Sequence, residues 1–116
     1  MNSKATDFLS YYYHEFLIKT CSDLNKTCPT YIDKDTRMDN AIYTPSDTTI
    51  NYNLTFVNTS KSDVDIQLLK EALLKTISNK SKDNPSFKNF KEMNVHISYT
   101  YYDKDDNYMF EIRLPD

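Results

Sequence analysis

Residues 95–114 have the sequence VHISYTYYDKDDNYMFEIRL, which predicts a β-hairpin. Apolar and polar side chains alternate over residues 95–102 and again over residues 108–114, with the period of two that is typical of strands with one buried face. The residues between them, 104–107, are mostly Asp and Asn, which best tolerate the left-handed backbone of a tight turn that lacks glycine. We therefore predict two antiparallel strands joined by a turn at residues 104–107.

A second hairpin is predicted earlier in the chain. Residues 49–58 alternate clearly, and residues 36–43 predict a weaker partner strand with Met38 and Ile42 on one face. A proline-containing turn joins the two strands.

Helices are predicted where apolar residues recur at spacings of three and four. The first covers residues 6–25, with an apolar stripe that includes Tyr12, Phe16 and Leu17. The second covers residues 64–78, and a short third helix begins at Pro85, since proline suits the first turn of a helix.

These elements predict a single α+β domain over residues 1–116, in the order helix, hairpin, helix, hairpin. Each strand and each helix has one apolar face, so the economical arrangement has two layers: a four-stranded antiparallel sheet with the helices on one face. The other face is then uncovered and polar. It carries Thr49, Asn51, Asn53, His96, Ser98 and Thr100, together with Tyr43 and Tyr102.

Composition and charge exclude several classes of function. The 116 residues include no glycine, which excludes glycine-dependent phosphate and dinucleotide loops. The net charge of −3 and a pI near 5.3 argue against a nucleic-acid-binding protein. No apolar run is long enough for a transmembrane segment. Residues 70–92 carry six lysines against three acidic residues, which indicates either a solvated helix face or a docking patch for an acidic partner.

Neither a metal nor a cofactor is predicted. Cys21 and Cys28 are separated by six residues, which is not a zinc spacing. They form either a disulfide, which would place the protein in an oxidising compartment, or two free thiols. Residues 103–107 resemble the start of a calcium loop, but Tyr108 and Leu114 stand where that loop needs a glycine and a glutamate. We therefore interpret this segment as a turn.

Two histidines are available for acid–base chemistry. His14 is predicted on the solvent side of the first helix, and His96 on the polar sheet face, where a ligand could reach it. A pairing of His96 with Ser98 or Cys28 would suit a hydrolase, but nothing in the sequence fixes that geometry. An enzyme is therefore the less favoured class, and it stays open.

One segment combines an arginine with several aspartates. Residues 33–39, DKDTRMD, place Arg37 between Asp33 and Asp39. Guanidinium and carboxylate groups form planar two-point ion pairs, so this segment predicts either a local ion pair at the start of a strand or a recognition patch centred on Arg37. The candidate binding residues are Arg37, Asp39, Asp33, His96 and Tyr102.

The chain resembles a group of small, uncharacterised exported bacterial proteins. The resemblance is carried by a C-P-x-x-x-D-x-x-T-R-x-D segment at residues 28–39, a Tyr-rich strand at residues 52–58, and a Tyr-x-Tyr strand with an Asp-rich turn from residue 99. It covers residues 16–116 and implies an exported, periplasmic protein without an assigned activity. Such proteins begin with a leader peptide, whereas residues 1–7 here are polar, so a cytoplasmic protein stays the alternative.

The function that we predict is a non-enzymatic exported domain that binds a protein or a small ligand. Its basis is a sheet face rich in hydroxyl and tyrosine side chains, in a sequence without a recognisable catalytic set. The first alternative is a cytosolic interaction protein, such as a secretion chaperone or a toxin-neutralising partner. The second is a hydrolase that uses His96 with a cysteine or a serine.

Overall fold

The computed structural model describes residues 3–82 and 85–114, with side chains from residue 11 onward except at positions 81 and 85–87. Its helices are α1 (Ser3–Asn25), α2 (Ile66–Lys82) and α3 (Pro85–Glu92). Its strands are β1 (Thr30–Tyr31), β2 (Thr36–Thr44), β3 (Thr49–Phe56), β4 (His96–Tyr102) and β5 (Tyr108–Leu114), with a short 3₁₀ helix at Lys61–Asp63. Within these ranges, no helix is both long enough and apolar enough to span a membrane.

The strands form one mixed five-stranded sheet in the order β1-β2-β3-β4-β5. Both predicted hairpins, β2–β3 and β4–β5, are present and antiparallel, but β3 and β4 run parallel to each other. The two-residue strand β1 adds to the outer edge of β2. The chain therefore has an α+β fold as predicted, whereas the prediction of four antiparallel strands is wrong.

The parallel pairing of β3 and β4 follows from the length of helix α2. Its 17 residues span about 26 Å, which matches the roughly 26 Å length of the eight-residue strand β3. The helix thus returns the chain to the end of the sheet where β3 began, and β4 runs in the same direction as β3. A strand with one apolar face has the same sequence pattern in either direction, so the pattern could not reveal this.

All three helices pack on the same face of the sheet. Alternate residues of β3, from Ile50 to Phe56, contribute to two hydrophobic clusters on this face. Helices α1 and α3 contribute to the first cluster and α2 to the second, through residues that include Leu17, Cys21, Phe90, Leu69, Leu73 and Ile77. No described helix covers the opposite face.

A β-bulge at Asp39 shifts the alternation of side chains within β2. Met38 lies toward the helices, whereas Ile42 lies on the opposite face and is 52% exposed. The prediction that Met38 and Ile42 share a face is therefore wrong. The prediction that Tyr43 lies on the polar face is also wrong, because Tyr43 packs against the first hydrophobic cluster.

The end of α3 shows how a chain without glycine closes a helix. Asn94 has a φ of 61°, and its amide donates to the Lys91 carbonyl at 3.1 Å, while the Val95 amide donates to the Phe90 carbonyl at 2.8 Å. This pattern is the Schellman motif, in which a left-handed residue, most often glycine, follows the helix. Phe90 and Val95 are both buried in the first cluster, so the motif also fixes where β4 begins.

Candidate functional site

The face of the sheet opposite the helices carries a chain of side-chain hydrogen bonds across three strands. The Thr100 hydroxyl donates to Asn51 Oδ1 at 2.9 Å, and Asn51 Nδ2 donates to Asn53 Oδ1 at 3.0 Å. Asn53 Nδ2 in turn donates to Asn40 Oδ1 at 2.8 Å. Because each amide oxygen accepts from its neighbour, the orientation of each amide is fixed, and the Asn40 amide nitrogen ends the chain as a donor.

An ion pair lies next to this chain on the same face. Arg37 Nε donates to Asp39 Oδ1 at 2.5 Å, and the Thr55 hydroxyl donates to Asp39 Oδ2 at 2.6 Å. The hydrogen bond to Asp39 raises the pKa of the Arg37 guanidinium. The two charged side chains are 33% and 27% exposed, so solvent can still reach both. The predicted local ion pair between Arg37 and Asp39 is thus present in the structure.

Asp39, Asn40, Asn53 and Thr55 from these two groups line a shallow cleft of about 330 Å³, which we call the polar cleft. It lies between β2, β3 and the turn that follows β4, and its lining residues are Asp39, Asn40, Asn53, Thr55, Tyr102 and Asp106. Asp39 and Tyr102 are predicted binding residues that the structure brings together. Sequence reasoning missed Asn40, Thr55 and Asp106. A usable signal was the pair of asparagines two positions apart within β3, because asparagine is depleted from strands.

Three predicted binding residues do not line the polar cleft: Arg37 borders it through its ion pair with Asp39, and His96 and Asp33 lie farther away. His96 is on the polar face as predicted, but six residues along β4 from Tyr102, or roughly 20 Å at 3.3 Å per residue. Asp33 is exposed in the loop before β2, where it accepts the Asp35 amide at 2.8 Å. This hydrogen bond lowers the pKa of the Asp33 carboxyl.

The hydrogen bond that a hydrolase based on His96 would need is not formed with Ser98. His96 Nδ1 and Ser98 Oγ are both buried, and neither has a hydrogen-bond partner within the described residues. They lie two positions apart on the same strand face. The structure therefore shows no hydrogen bond between Ser98 and His96, although the two side chains are neighbours on one face of β4.

His14 lies between α1 and the sheet rather than on the solvent side of the helix. Its Nδ1 shares a hydrogen bond with the Tyr43 hydroxyl, and the two rings are 5.7 Å apart between centroids. Burial raises the pKa of Tyr43. The predicted solvent position of His14 is therefore wrong, and the reason is the bulge in β2 that turns Tyr43 toward the helix.

Asp103 is a buried carboxylate at the start of the β4–β5 turn. It accepts hydrogen bonds from the backbone amides of Lys61, Asp105 and Asn107 and from the Asn107 side chain, at 2.8–3.2 Å. Burial alone would raise the pKa of this carboxyl, but these four donors outweigh that effect and lower the pKa to about 2. Both carboxylate oxygens accept hydrogen bonds from the chain itself, so the role of Asp103 is structural. This agrees with the interpretation of residues 103–107 as a turn.

The two cysteines are free thiols in the structure. Cys21 is buried in the first cluster, where burial raises the pKa of its thiol, and Cys28 is half-buried after α1. A Cys21–Cys28 disulfide stays a prediction for the oxidised protein. In the part of the chain that the structure describes, no group of three or more His, Cys, Asp or Glu side chains could hold a metal ion.

A second depression of about 250 Å³ lies between α1 and α3, and we call it the aromatic groove. Its lining residues are Tyr12, Tyr13, Phe16, Asn89, Glu92 and Met93. Tyr12 and Phe16 are 55% and 45% exposed. The apolar stripe predicted on α1 is therefore buried only in part, since Tyr12 and Phe16 are exposed whereas Leu17 and Cys21 are buried in the first cluster. On α3, Lys88 and Lys91 are exposed near the groove.

Comparisons with known proteins place the fold. A protein from Pseudomonas aeruginosa named "putative secreted protein" has a solved structure that matches with a TM-score of 0.74 at 9% identity, over 90% of each chain. The pilotin EpsS from the type 2 secretion system of Vibrio vulnificus matches with a TM-score of 0.66 at 10% identity, over 82% of this chain and 80% of the pilotin. At such identities the likeness is one of fold. No protein with a curated description matches the chain in sequence.

The sequence also matches the profile of one protein family. Two findings support the predicted resemblance to uncharacterised exported proteins: the matching family has no known function, and the fold occurs in a protein named as secreted. The C-P-x-x-x-D-x-x-T-R-x-D segment as a signature stays a prediction. Because the profile of a domain of unknown function (DUF8479) matches residues 13–110, which is most of the chain, the protein belongs to this family.

Proposed function

We propose that this protein is a non-enzymatic exported domain that binds a partner protein in the aromatic groove between α1 and α3. The observation that carries the proposal is the exposure of Tyr12 and Phe16 beside Tyr13 and Met93. Contiguous exposed apolar side chains with a polar rim are typical of interaction sites. The groove has this composition, since Asn89 and Glu92 form its polar border.

The size and chemistry of the groove favour a protein over a small molecule. Its volume of about 250 Å³ is below the range of roughly 300–1,000 Å³ that is usual for small-ligand pockets. Tyr, Phe and Met are the residue types that are enriched at the centre of protein interfaces, where a few anchor side chains provide most of the binding energy. The groove therefore fits one or two apolar anchors of a partner segment.

The charge around the groove specifies the partner further. Lys88 and Lys91 are exposed on α3, next in sequence to Asn89 and Glu92, which line the groove. Glu92 is the acidic residue among those that line the groove. A partner segment with an apolar face and acidic residues along its borders would complement this surface, because opposite potentials across an interface increase the association rate and the specificity.

A peptide titration tests the groove directly. The probe is a synthetic amphipathic helix with leucine on one face and glutamate elsewhere, and its matched control carries lysine in place of glutamate. Amide NMR should show shifts at Tyr12, Phe16 and Met93, with about tenfold weaker binding of the lysine peptide. Phe16→Ser should abolish these shifts, whereas Leu68→Ser, at an exposed site on α2, should leave them unchanged.

Three results would contradict the proposed binding site. Equal binding of the two peptides would show that charge does not select the partner. Unchanged binding by Phe16→Ser would show that the peptide does not bind in the aromatic groove. Analytical ultracentrifugation could also show a dimer that Phe16→Ser dissociates. The groove would then hold a second copy of this chain, and the proposal of a separate partner would be wrong.

Cell fractionation of the source organism tests the compartment. Both structural neighbours have names that refer to secretion, and an exported location for this chain would agree with them. We expect the native protein in the periplasmic or extracellular fraction. Its recovery with cytosolic markers would support the cytosolic interaction protein instead, with the same groove serving a different partner.

A further inference from the structure

We infer that the polar cleft is a second binding site and that it takes one unit of a neutral, polyhydroxylated ligand such as an uncharged glycan. The cleft lies across the sheet from the helices that form the aromatic groove, so the inference does not depend on the proposed function. Its volume of about 330 Å³ is at the lower end of small-ligand pockets. A ligand of about one sugar ring is the size that such a cleft can hold.

The walls of the cleft are held in place before any ligand binds. Asp39 is fixed by Arg37 and Thr55, and Asn53 is fixed by its bonds to Asn51 and Asn40. Side chains that are locked by neighbours lose little conformational entropy when a ligand arrives. The same bonds leave defined groups unused, which include the Asn40 amide nitrogen and the second amide hydrogen of Asn53.

The charge balance of the cleft favours neutral ligands over strongly charged ones. The Asp39 carboxylate is compensated by Arg37, and Asp106 adds one exposed negative charge. An anion would be repelled by Asp106 and would find no uncompensated cation among the lining residues. A cation would meet one unpaired carboxylate, Asp106, while the positive charge of Arg37 would oppose its approach to Asp39. A neutral ligand meets neither obstacle.

The available groups match hydroxyl-bearing ligands better than a peptide. The cleft lies on the face of the sheet and is lined by side chains, so a ligand there meets side-chain groups rather than a strand edge to which a peptide could add. Side-chain amides and carboxylates offer both donors and acceptors to hydroxyl groups. The Tyr102 ring, which packs edge-on against Tyr108 at 6.2 Å, supplies an apolar wall with a hydroxyl at its tip.

The test is a titration with three uncharged tetrasaccharides, maltotetraose, cellotetraose and chitotetraose, followed by amide NMR on the full chain. At millimolar concentration we expect at least one of them to shift the signals of Asn40, Asn53, Tyr102 and Asp106. Asn40→Ala should weaken binding about tenfold, because it removes the terminal donor. Thr44→Ala, on the same face of β2 but outside the cleft, and Phe16→Ser, in the aromatic groove, should leave binding unchanged.

Further measurements keep the result decisive. Binding should be the same at low and high salt, since a neutral ligand has no charge to screen. Thermal unfolding of Asn40→Ala should confirm that this variant is folded. The proposal is overturned if none of the three sugars shifts the cleft residues, if Asn40→Ala and Thr44→Ala bind alike, or if tetra-alanine shifts the same signals at the same concentration. The last result would assign the cleft to peptides.

Discussion

Asp103 shows how much of the fold can depend on one side chain. Its two carboxylate oxygens join the segment after β3, through the Lys61 amide, to the turn that begins β5, through Asn107. Asp103→Asn would replace one carboxylate oxygen, which accepts hydrogen bonds, by an NH₂ group, which donates them. The partners of Asp103 are all N–H donors, so this NH₂ group would face other donors. We expect the melting temperature to fall by roughly 5–15 °C, since buried donors would lose their partners. Thermal circular dichroism measures this, with the exposed Asp105→Asn as the matched control, which should change little.

The pH dependence of the same residue provides a second measurement. Hydrogen bonds lower the pKa of Asp103 to about 2, whereas an unperturbed Asp has a pKa of about 3.9. The lowered pKa stabilises the folded state fully above pH 4, and this contribution is lost as the pH falls through about 2. The difference in melting temperature between the wild type and Asp103→Asn should therefore shrink from pH 5 to pH 2. A constant difference would show that the charge does not contribute.

Asn94 occupies a position where most proteins have glycine. Its φ of 61° is accessible to asparagine and strongly unfavourable for a β-branched residue. We expect Asn94→Gly to leave the free energy of unfolding almost unchanged and Asn94→Val to lower it by about 1–2 kcal/mol. Urea unfolding compares this matched pair. Equal stability of the two variants would mean that the left-handed residue is not required at the end of α3.

Residue positions were predictable where local chemistry alone determines them. The turn at residues 104–107 could be predicted because Asp and Asn tolerate left-handed backbone, and Asp106 indeed has a φ of 65°. The position of His14 could not, because it depends on a bulge in a strand distant in sequence. The hydrogen bond from the Lys61 amide to Asp103 could not be predicted either, because these residues are distant in sequence and meet only in the folded chain.

At the scale of whole elements, periodicity predicted the helices and both hairpins. The parallel pairing of β3 and β4 could not be predicted, because one apolar face gives the same pattern whichever way a strand runs. The short strand β1 has no periodic signal, since two residues are too few. The polar cleft could be predicted only in part, because its floor depends on the register between β2 and β3 and on the bulge at Asp39.

The outer edge of β2 is protected by a side chain beyond Met38, where the pairing with β1 stops. Asn25, the last residue of α1, donates to the Ala41 carbonyl at 2.8 Å and accepts the Ala41 amide at 2.7 Å, so its amide replaces a neighbouring strand. Asn25→Ala should lower the free energy of unfolding by about 1–2 kcal/mol and promote self-association through the freed edge. Asn25→Asp keeps the acceptor and the side-chain volume but places a carboxylate oxygen against the Ala41 carbonyl, so it should also lower the free energy of unfolding.

Urea unfolding and size-exclusion chromatography measure the two consequences for the edge of β2. The comparison of Asn25→Ala with Asn25→Asp separates the two hydrogen bonds from simple loss of packing at the end of α1. If both variants remain monomeric and as stable as the wild type, Asn25 does not protect this edge.

Across the whole molecule, the core consists of two clusters that meet at a pair of tyrosines. Tyr52 on β3 and Tyr99 on β4 pack against both clusters, and their rings stack with centroids 5.4 Å apart. Burial raises the pKa of Tyr52 to about 12, in agreement with a ring enclosed by the core. The cluster under α1 and the cluster under α2 are therefore expected to unfold together through these rings.

Substitution of Tyr99 by alanine tests this coupling. The loss of a large, mostly buried ring should lower the free energy of unfolding by about 3 kcal/mol, and the two clusters should then lose their structure at different urea concentrations. Amide NMR intensities of Leu17 and Ile112 report the first and second cluster separately. Tyr108→Ala, at an exposed position on β5, is the matched control and should keep a single transition. If the two reporters still coincide in Tyr99→Ala, the hydrogen bonds of the sheet are sufficient to couple the clusters.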